Sequence, residues 1–447
     1  MLDFFTSIDD FVWGPPLLVL LVGTGIYLTI RLGLLQIIRL PKAFKLIFAE
    51  DKGEGDISSF AALATALAAT IGTGNIVGVA TAIKTGGPGA LFWMWIAAFF
   101  GMATKYAEGL LAIKFRTLDD QGNVSGGPMY YITHGFSGKW QIIAKPLAYF
   151  FAFAGVLVAW LGIGTFSQVN SITSSLQNSF GWSPKIVSVI LALITAAIIF
   201  GGIQSISKVS EKVVPFMAGL YIIAALIVIF ANFNQLLPVL EMVFQSAFTG
   251  KAAVGGFAGA TVMAAMRLGI ARGVFSNESG LGSAPIAAAA AKTEEPVEQG
   301  LISMTGTFIV TIIICTLTGL AILVTGQWSG SLEGAPMTQA AFSSIFGTFG
   351  ELALTLSLVL FAFTTILGWS YYGERCFEFI FKSTKFLSFY RLIFVVMVAL
   401  GGYLTLEVVW KIADIVNGLM ALPNLIALLV LSPIILKESK SYFERHK

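Results

Sequence analysis

Apolar runs separated by polar or Gly/Pro-containing loops fall at about 11–32, 58–82, 90–113, 144–171, 184–204, 213–232, 252–291, 300–325, 350–374, 386–404 and 407–433. Crossing a hydrocarbon core of ~30 Å takes about 20 such residues, whereas apolar segments of 10 to 14 suit buried helices of soluble proteins. The pattern predicts an all-α polytopic membrane protein of about eleven transmembrane helices. Composition agrees, because 56% of the 447 residues are hydrophobic and 11% are charged, against about 25% charged in a soluble domain. The lipid bilayer is the expected solvent.

Charge enters next, through the bias of Lys and Arg toward cytoplasmic loops. With the N-terminus outside, the inner loops hold Arg31, Arg39, Lys42, Lys45 and Lys52, then Lys114, Arg116, Lys139 and Lys145, then Lys208 and Lys212. Lys292, then Arg375, Lys382 and Lys385, and a tail at 434–447 with Lys437, Lys440, Arg445 and Lys447, continue the series. The opposite loops hold little beyond Lys84, Lys185, Lys251 and Lys411. The expected topology is a multi-pass protein of the cell (inner or plasma) membrane, N-terminus outside and C-terminus cytoplasmic. Asp3, Asp9 and Asp10 precede the first run where a signal peptide would be basic, so that run reads as a retained helix. The formal charge of +3 comes with no basic block of the kind that binds nucleic acid.

Three runs differ from ordinary lipid-facing helices. The second, TALAATIGTGNIVGVAT from Thr65 to Thr81, sets Gly72, Thr73, Gly74 and Asn75 at mid-membrane. The seventh carries Arg267, Gly269, Arg272, Gly273, Ser276, Asn277, Glu278, Gly280, Gly282 and Pro285 in a small-residue apolar run. The ninth contains Thr364, Thr365 and Trp369 in FAFTTILGWSYY. Backbone groups cannot go unpaired in hydrocarbon, so a helix unwinds at mid-membrane only inside protein or along a polar cavity. Once it is broken, one half presents N–H groups and the positive dipole end to a carboxylate, while freed carbonyls attract a cation or an ammonium. A zwitterionic amino acid fits such a break.

The glycine-rich centres of the second and seventh runs lie about 200 positions apart, as two five-helix units require. This predicts a 5+5 inverted repeat, 58–232 and 252–433, in one transporter domain, preceded by an extra helix at 11–32. An odd number of spans per half makes the halves enter the membrane in opposite directions, which suits alternating access.

Each signal has a second reading. GTGNIVG also suits a close-packing seam of small residues, but a seam needs no amide, and Asn75 and Thr73 tilt toward a site. Arg272 and Glu278 are costly intramembrane charges and stand as a gate, a proton site or a buried ion pair with each other. Thr364 and Thr365 also suit bonding to their own helix carbonyls. Lys105 and Glu108 are three apart and expected to pair on one helix face, with no role assigned. Gln168 either lines the cavity or meets the outer interface. Cys315 and Cys376 lack metal or disulfide spacing and read as packing residues.

Enzyme signatures are missing: the two histidines, His134 and His446, lie outside the apolar runs, and no GxxxxGK[ST] occurs. An enzyme is not expected, and no cofactor. A channel is the rival from another class, but filters usually come from symmetric rings of subunits, and these two broken segments differ in sequence. An intramembrane enzyme is the third reading.

At these residues a family becomes recognisable. ATIGTGNIVGVATAI (Ala69 to Ile83), GGPGALFWMW (Gly86 to Trp95), GGPMYYI (Gly126 to Ile132) and FSNESGLGSAPIAAAAA (Phe275 to Ala291) resemble the alanine or glycine:cation symporter family, from about Asp9 to Pro433. The resemblance implies sodium- or proton-coupled uptake of alanine or glycine and the leucine-transporter-like fold of the amino acid–polyamine–organocation superfamily. It implies that backbone N–H groups of Gly72, Thr73 and Gly74, with Asn75 nearby, hold the substrate carboxylate, and that carbonyls of Phe275, Ser276 and Asn277 face its ammonium. Gln168, Thr365 and Trp369 resemble the remaining pocket wall, with Trp369 and Phe275 limiting side-chain size. Ala68, Ile71, Thr364 and Thr365 occupy the positions of the fold's common cation site. An oxygen-only site suits sodium, while proton coupling needs an ionisable group, for which Glu278 is available. The expected partners are alanine or glycine, sodium or a proton, and lipid; the sequence leaves the oligomeric state open, a monomer included.

Overall fold

The computed structural model describes residues 7–8, 11–51, 53–249, 262–403 and 406–446. Asp3, Asp9, Asp10, Lys52, Lys251, Lys447 and the start of the seventh apolar run lie outside the described residues.

The chain opens with α1 (Pro15–Arg31) and the short α2 (Leu40–Ile47). The second run divides into α3 (Ser59–Thr70) and α4 (Val77–Gly86), bent by 64° at the break. Next come α5 (Gly89–Lys114), a two-stranded hairpin pairing Thr117–Leu118 with Val124–Ser125, and α6 (Pro128–Gly135). They are followed by α7 (Gln141–Leu161), α8 (Phe166–Phe180), α9 (Pro184–Ile199), α10 (Gly202–Ala231) and α11 (Phe233–Thr249). The seventh run gives α12 (Val262–Asn277) and α13 (Ala284–Ala288). The chain then continues through α14 (Pro296–Val324), α15 (Gly334–Phe346), α16 (Thr348–Phe381), α17 (Leu387–Leu400), α18 (Leu406–Val430) and α19 (Ser432–Arg445).

Among the described residues seven helices are long and apolar enough to cross a membrane, the bent α3–α4 pair makes an eighth, and α1 and α9 are shorter apolar helices. The all-α polytopic class holds. Ile142, Leu193, Phe216, Phe230, Leu237 and Leu392 are exposed, an outer surface suited to lipid rather than water.

Two boundaries differ from the sequence pattern. The fourth run, read as continuous over 144–171, breaks between α7 and α8. Gly162 and Gly164 allow this, and a Cβ on Gly164 would sit 2.9 Å from the Trp369 Cβ, so α16 approaches the break only because a hydrogen stands there. The polar stretch around Lys208 and Lys212, read as a loop, is helical in α10. Its Glu211 accepts from the Ser58 hydroxyl at 3.3 Å, and Ser58 itself caps α3 by accepting from the Ala61 N–H.

At the centre, α5 packs along both α12 and α14, while α16 runs between α7, α8 and α10. This arrangement brings the two broken runs together with α16 against them.

Candidate functional site

The first break follows from Gly72. Its backbone turns out of the helix (φ −134°, ψ −154°), and a Cβ there would meet the Thr365 hydroxyl at 2.5 Å. The carbonyl freed at the end of α3 is not left bare, because Asn75 Nδ2 donates to Thr70 O at 2.9 Å. The chain then makes a single tight turn, Thr73–Asn75, before α4 begins.

The second break follows Asn277. Glu278 adopts φ +57°, a left-handed conformation uncommon for a residue with a Cβ. Such outliers persist only where the surroundings hold them, and here they do. Glu278 Oε1 accepts from Trp369 Nε1 at 2.9 Å, and Oε2 accepts from the Ser283 hydroxyl. The N–H groups of Gly280 and Gly282 donate to Glu108 Oε1 at 3.1 and 3.2 Å, and Asn424 Nδ2 donates to the same oxygen at 2.7 Å. Lys105 Nζ donates to Asn277 O at 2.9 Å. Lys105 and Glu108, expected to pair on one face without a role, therefore both bind the second break.

The breaks touch each other. The Ser276 hydroxyl donates to Asn75 Oδ1, and Cys315 Sγ lies 3.2 Å from Asn75 Oδ1 and 3.0 Å from Ser276 Oγ. Asn277 Nδ2 donates to Thr311 Oγ1 at 3.0 Å. Thr311 and Cys315 sit on a π-helical segment of α14, Phe308–Cys315, a local unwinding frequent at functional sites. Cys315, read from the sequence as a packing residue, thus also touches both breaks, a contact for which a lone cysteine in an apolar run carries no sequence signal. The Phe275 ring packs against Gly74, beneath the Arg272 guanidinium at 5.4 Å.

Gln168, on α8 just past the third break, is fully buried rather than at the outer interface, and its Oε1 accepts from the Thr73 N–H at 3.3 Å. Its Nε2 and the Thr73 hydroxyl, both buried, have no hydrogen-bond partner among the described residues, whereas buried polar groups are normally satisfied.

The α16 threonines part company. Thr365 Oγ1 lies 3.2 Å from Ala68 O and 3.0 Å from Phe361 O, whereas Thr364 Oγ1 bonds Phe361 O at 3.0 Å and faces Met217 Sδ at 3.7 Å. Both make the expected bond to their own helix, and Thr365 alone also reaches α3. Ile71 is fully buried beside them. No cluster of His, Cys, Asp and Glu fit for a transition metal occurs among the described residues.

Arg272 does not pair with Glu278, as one reading of the sequence held. Its guanidinium binds Asp414 of α18 through two bonds of 3.0 and 2.9 Å, a fork-on-carboxylate geometry stronger than a single contact. The reason is direction, since Glu278 lies beyond the end of α12 and is held by Trp369 and Ser283. Beside the pair lies a cavity of about 450 Å³ lined by Trp13, Thr85, Arg267 and Lys411.

At another place the two broken runs are tied together by backbone as well as charge. Residues 56–57 pair with 290–292, and Arg116 donates to the carbonyls of Glu54, Ala289, Ala291 and Thr293 at 2.7 to 3.0 Å. Arg375 joins Asp119, Glu374 and Glu378. Burial raises the Asp119 carboxyl, but the N–H groups of Asn123 and Gln121 and the Arg375 guanidinium outweigh it and hold the group below the usual carboxylate range. Asp56 is pushed above it, chiefly by burial, despite the Val124 N–H.

Residues 1–447 match the sodium:alanine symporter family. The sodium/alanine symporter AgcS of Methanococcus maripaludis is 51% identical, the alignment covering 99% of this chain and 97% of that one. An uncharacterized transporter of Haemophilus influenzae is 55% identical over 99% and 96% of the two chains, and a probable sodium/glutamine symporter, GlnT, of Bacillus subtilis is 39% identical over 98% and 90%. Among solved structures, MhsT in complex with L-phenylalanine superposes with a TM-score of 0.62 at 13% identity, over 85% of this chain and 89% of that one. A manganese transporter of Eremococcus coleocola gives 0.54 at 12% identity over 85% and 80%. At such identities the likeness is one of fold.

Proposed function

The chain belongs to the sodium:alanine symporter family, and we propose that it imports a small neutral amino acid, alanine or glycine, together with sodium, by alternating access. It is a transporter, not an enzyme. The observation that carries the substrate reading is the Thr73–Gln168 contact. The Gln168 amide oxygen accepts from the Thr73 N–H at 3.3 Å, the same service a substrate carboxylate asks of a broken helix. The carboxylate takes that N–H and those of Gly72 and Gly74, close to Asn75, and the unpartnered Thr73 hydroxyl and Gln168 Nε2 supply further donors. The ammonium faces the carbonyls of Phe275 and Ser276 near the end of α12, where the helix dipole is negative. Phe275 and Trp369, fully buried together at the breaks, bound the side chain to about a methyl group.

Sodium takes the oxygens of Ala68, Ile71 and Thr365, with Thr364 turning from Met217 to join. Hard cations favour such carbonyl and hydroxyl sets. The neighbour relation of Ala68 and Thr365 at 3.2 Å supports this site, since a cation there ties the first broken helix to α16.

Alternating access needs a barrier on each side. The Arg272–Asp414 pair serves on the extracellular side, and Arg116 with the 56–57/290–292 pairing serves on the cytoplasmic side. The units 58–232 and 252–433 act as inverted repeats, each opening on its broken helix, with α1 as the extra span. Proton coupling is the second reading, favoured by the fully buried Glu278 carboxylate bound to the pocket wall through Trp369.

Uptake of radiolabelled alanine into proteoliposomes tests the proposal. Accumulation above equilibrium under an inward sodium gradient alone supports it. Accumulation only under a pH gradient transfers coupling to Glu278, and no uptake of any small amino acid overturns the substrate reading.

A further inference from the structure

A broken helix has two electrostatic ends, and the C-terminal end of its first half gathers carbonyls that call for positive charge. Two such ends lie at the breaks of the second and seventh runs, at Thr70 and at Asn277. The first lies beside the oxygens of Ala68 and Thr365. The second is already occupied: Lys105 Nζ, on α5, donates to the Asn277 carbonyl at 2.9 Å and is 3% exposed.

Three features make this more than helix capping. A lysine is almost never fully buried unless paired, and Lys105 lies one helical turn before Glu108 on α5, at the break that also carries Glu278. Both carboxylates belong to the same break, Glu108 through the N–H groups of Gly280 and Gly282 and Glu278 by sequence. The ammonium is also tethered to α5, so it cannot leave with the substrate. A free cation at this position would meet the same Asn277 carbonyl.

We propose that Lys105 is a built-in cation that fills the ion place at the second broken helix, leaving a single place, at Ala68 and Thr365, for an ion that travels. The carrier then moves one sodium per amino acid. This rests on the sodium-symport reading above and adds the stoichiometry and the residue that sets it. Lys105 acts as a positioning residue: it holds the Asn277 end of α12 and touches neither the substrate nor the transported ion.

The test counts sodium. In proteoliposomes, the ratio of radioactive sodium flux to alanine flux is expected to be one in the wild type and in Lys105→Arg, and to rise toward two in Lys105→Ala, with a steeper sodium dependence of uptake. For a variant that folds without turning over, equilibrium binding of radioactive sodium to the purified protein gives the same count. A purely structural lysine would lower activity or stability and leave that count alone. Two sodium ions per wild-type protein, or an unchanged count of one in Lys105→Ala, overturns the proposal, and should Lys105→Ala fail to fold, a wild-type or Lys105→Arg count of two still does so. Wild-type protein with no sodium-driven uptake at all instead sinks the sodium-symport reading.

Discussion

The Thr365 hydroxyl stands 3.2 Å from the carbonyl oxygen of Ala68, joining α16 to the first broken helix across 297 positions of sequence. Within α16 it also bonds Phe361 O, so one hydroxyl sits between two carbonyl oxygens from different helices. Three oxygens at this spacing suit a hard cation. Thr365→Ala removes one of them and is expected to raise the half-saturating sodium concentration for uptake about tenfold, the ~1.4 kcal/mol expected of one polar contact. Thr365→Ser keeps the oxygen and should stay near wild type. A sodium titration that is the same in Thr365→Ala and wild type removes Thr365 from the ion site.

Trp369 is held from both sides. Its indole N–H donates to Glu278, and its ring meets Tyr372 edge-on at 5.4 Å between centroids. A side chain fixed in this way makes a rigid wall, so Trp369→Ala is expected to admit amino acids with branched side chains. One methylene of pocket space is worth about 1–3 kcal/mol, or roughly 10- to 200-fold in discrimination. Competition of unlabelled valine and leucine with labelled alanine reads the change, and an unaltered substrate range takes Trp369 out of the wall.

These relations mark what the sequence made legible. Glycine, hydroxyl and amide in mid-membrane runs pointed to Gly72, Asn75, Ser276 and Thr365, because such residues are costly in lipid and need a reason. Their partners were illegible. Cys315 and Thr311 look ordinary in an apolar run, and only the π-helical turn of α14 aims both at the breaks. The break between α7 and α8 was hidden because Gly162 and Gly164 lie in an unbroken apolar stretch. Asp414 was invisible as Arg272's partner because the pair spans 142 residues, and no local pattern reaches that far.

The Arg272–Asp414 pair is the proposed barrier on one side, and both side chains are largely buried, 17% and 9% exposed. Breaking a buried pair by removing one partner costs about 3–5 kcal/mol. Asp414→Ala should therefore open this side and expose the Phe275 region to reagents. With a cysteine at Ala271, labelling by a membrane-impermeant thiol reagent is expected to rise severalfold over the same cysteine alone. Equal labelling in the two backgrounds would mean that the pair is no barrier.

Asp119 ties the Thr117–Ser125 hairpin to Arg375 and takes N–H bonds from Gln121 and Asn123. Its folded-state carboxyl lies below the ordinary range, so the linkage sign is that of a depressed acid. The contribution is fully present above the ordinary aspartate value of about 4 and fades as pH falls through the lower folded value. Hydrogen exchange at Asn123 should stay slow from neutral pH to about 4, after correction for the intrinsic rate, and quicken below. Asp119→Asn should abolish that step, and a step near neutrality would assign it to another group.

Arg116 offers the sharpest test of the proposed cytoplasmic barrier, because its guanidinium satisfies carbonyls from both broken runs at once, Glu54 before α3 and Ala289 and Ala291 after α13. Charged hydrogen bonds of this kind contribute about 1.5–3 kcal/mol each, so losing four of them outweighs the short 56–57/290–292 pairing that remains. Arg116→Ala is expected to favour the inward-open state, slowing net uptake while speeding efflux relative to influx. A cysteine at Ala288 should then label from the cytoplasmic side of inside-out vesicles at least tenfold faster, about 1.4 kcal/mol of population shift. Arg116→Lys keeps the charge but not the fork that spans four carbonyls, so it should fall between the two, and labelling equal to wild type in both variants would show that the backbone pairing closes this side alone.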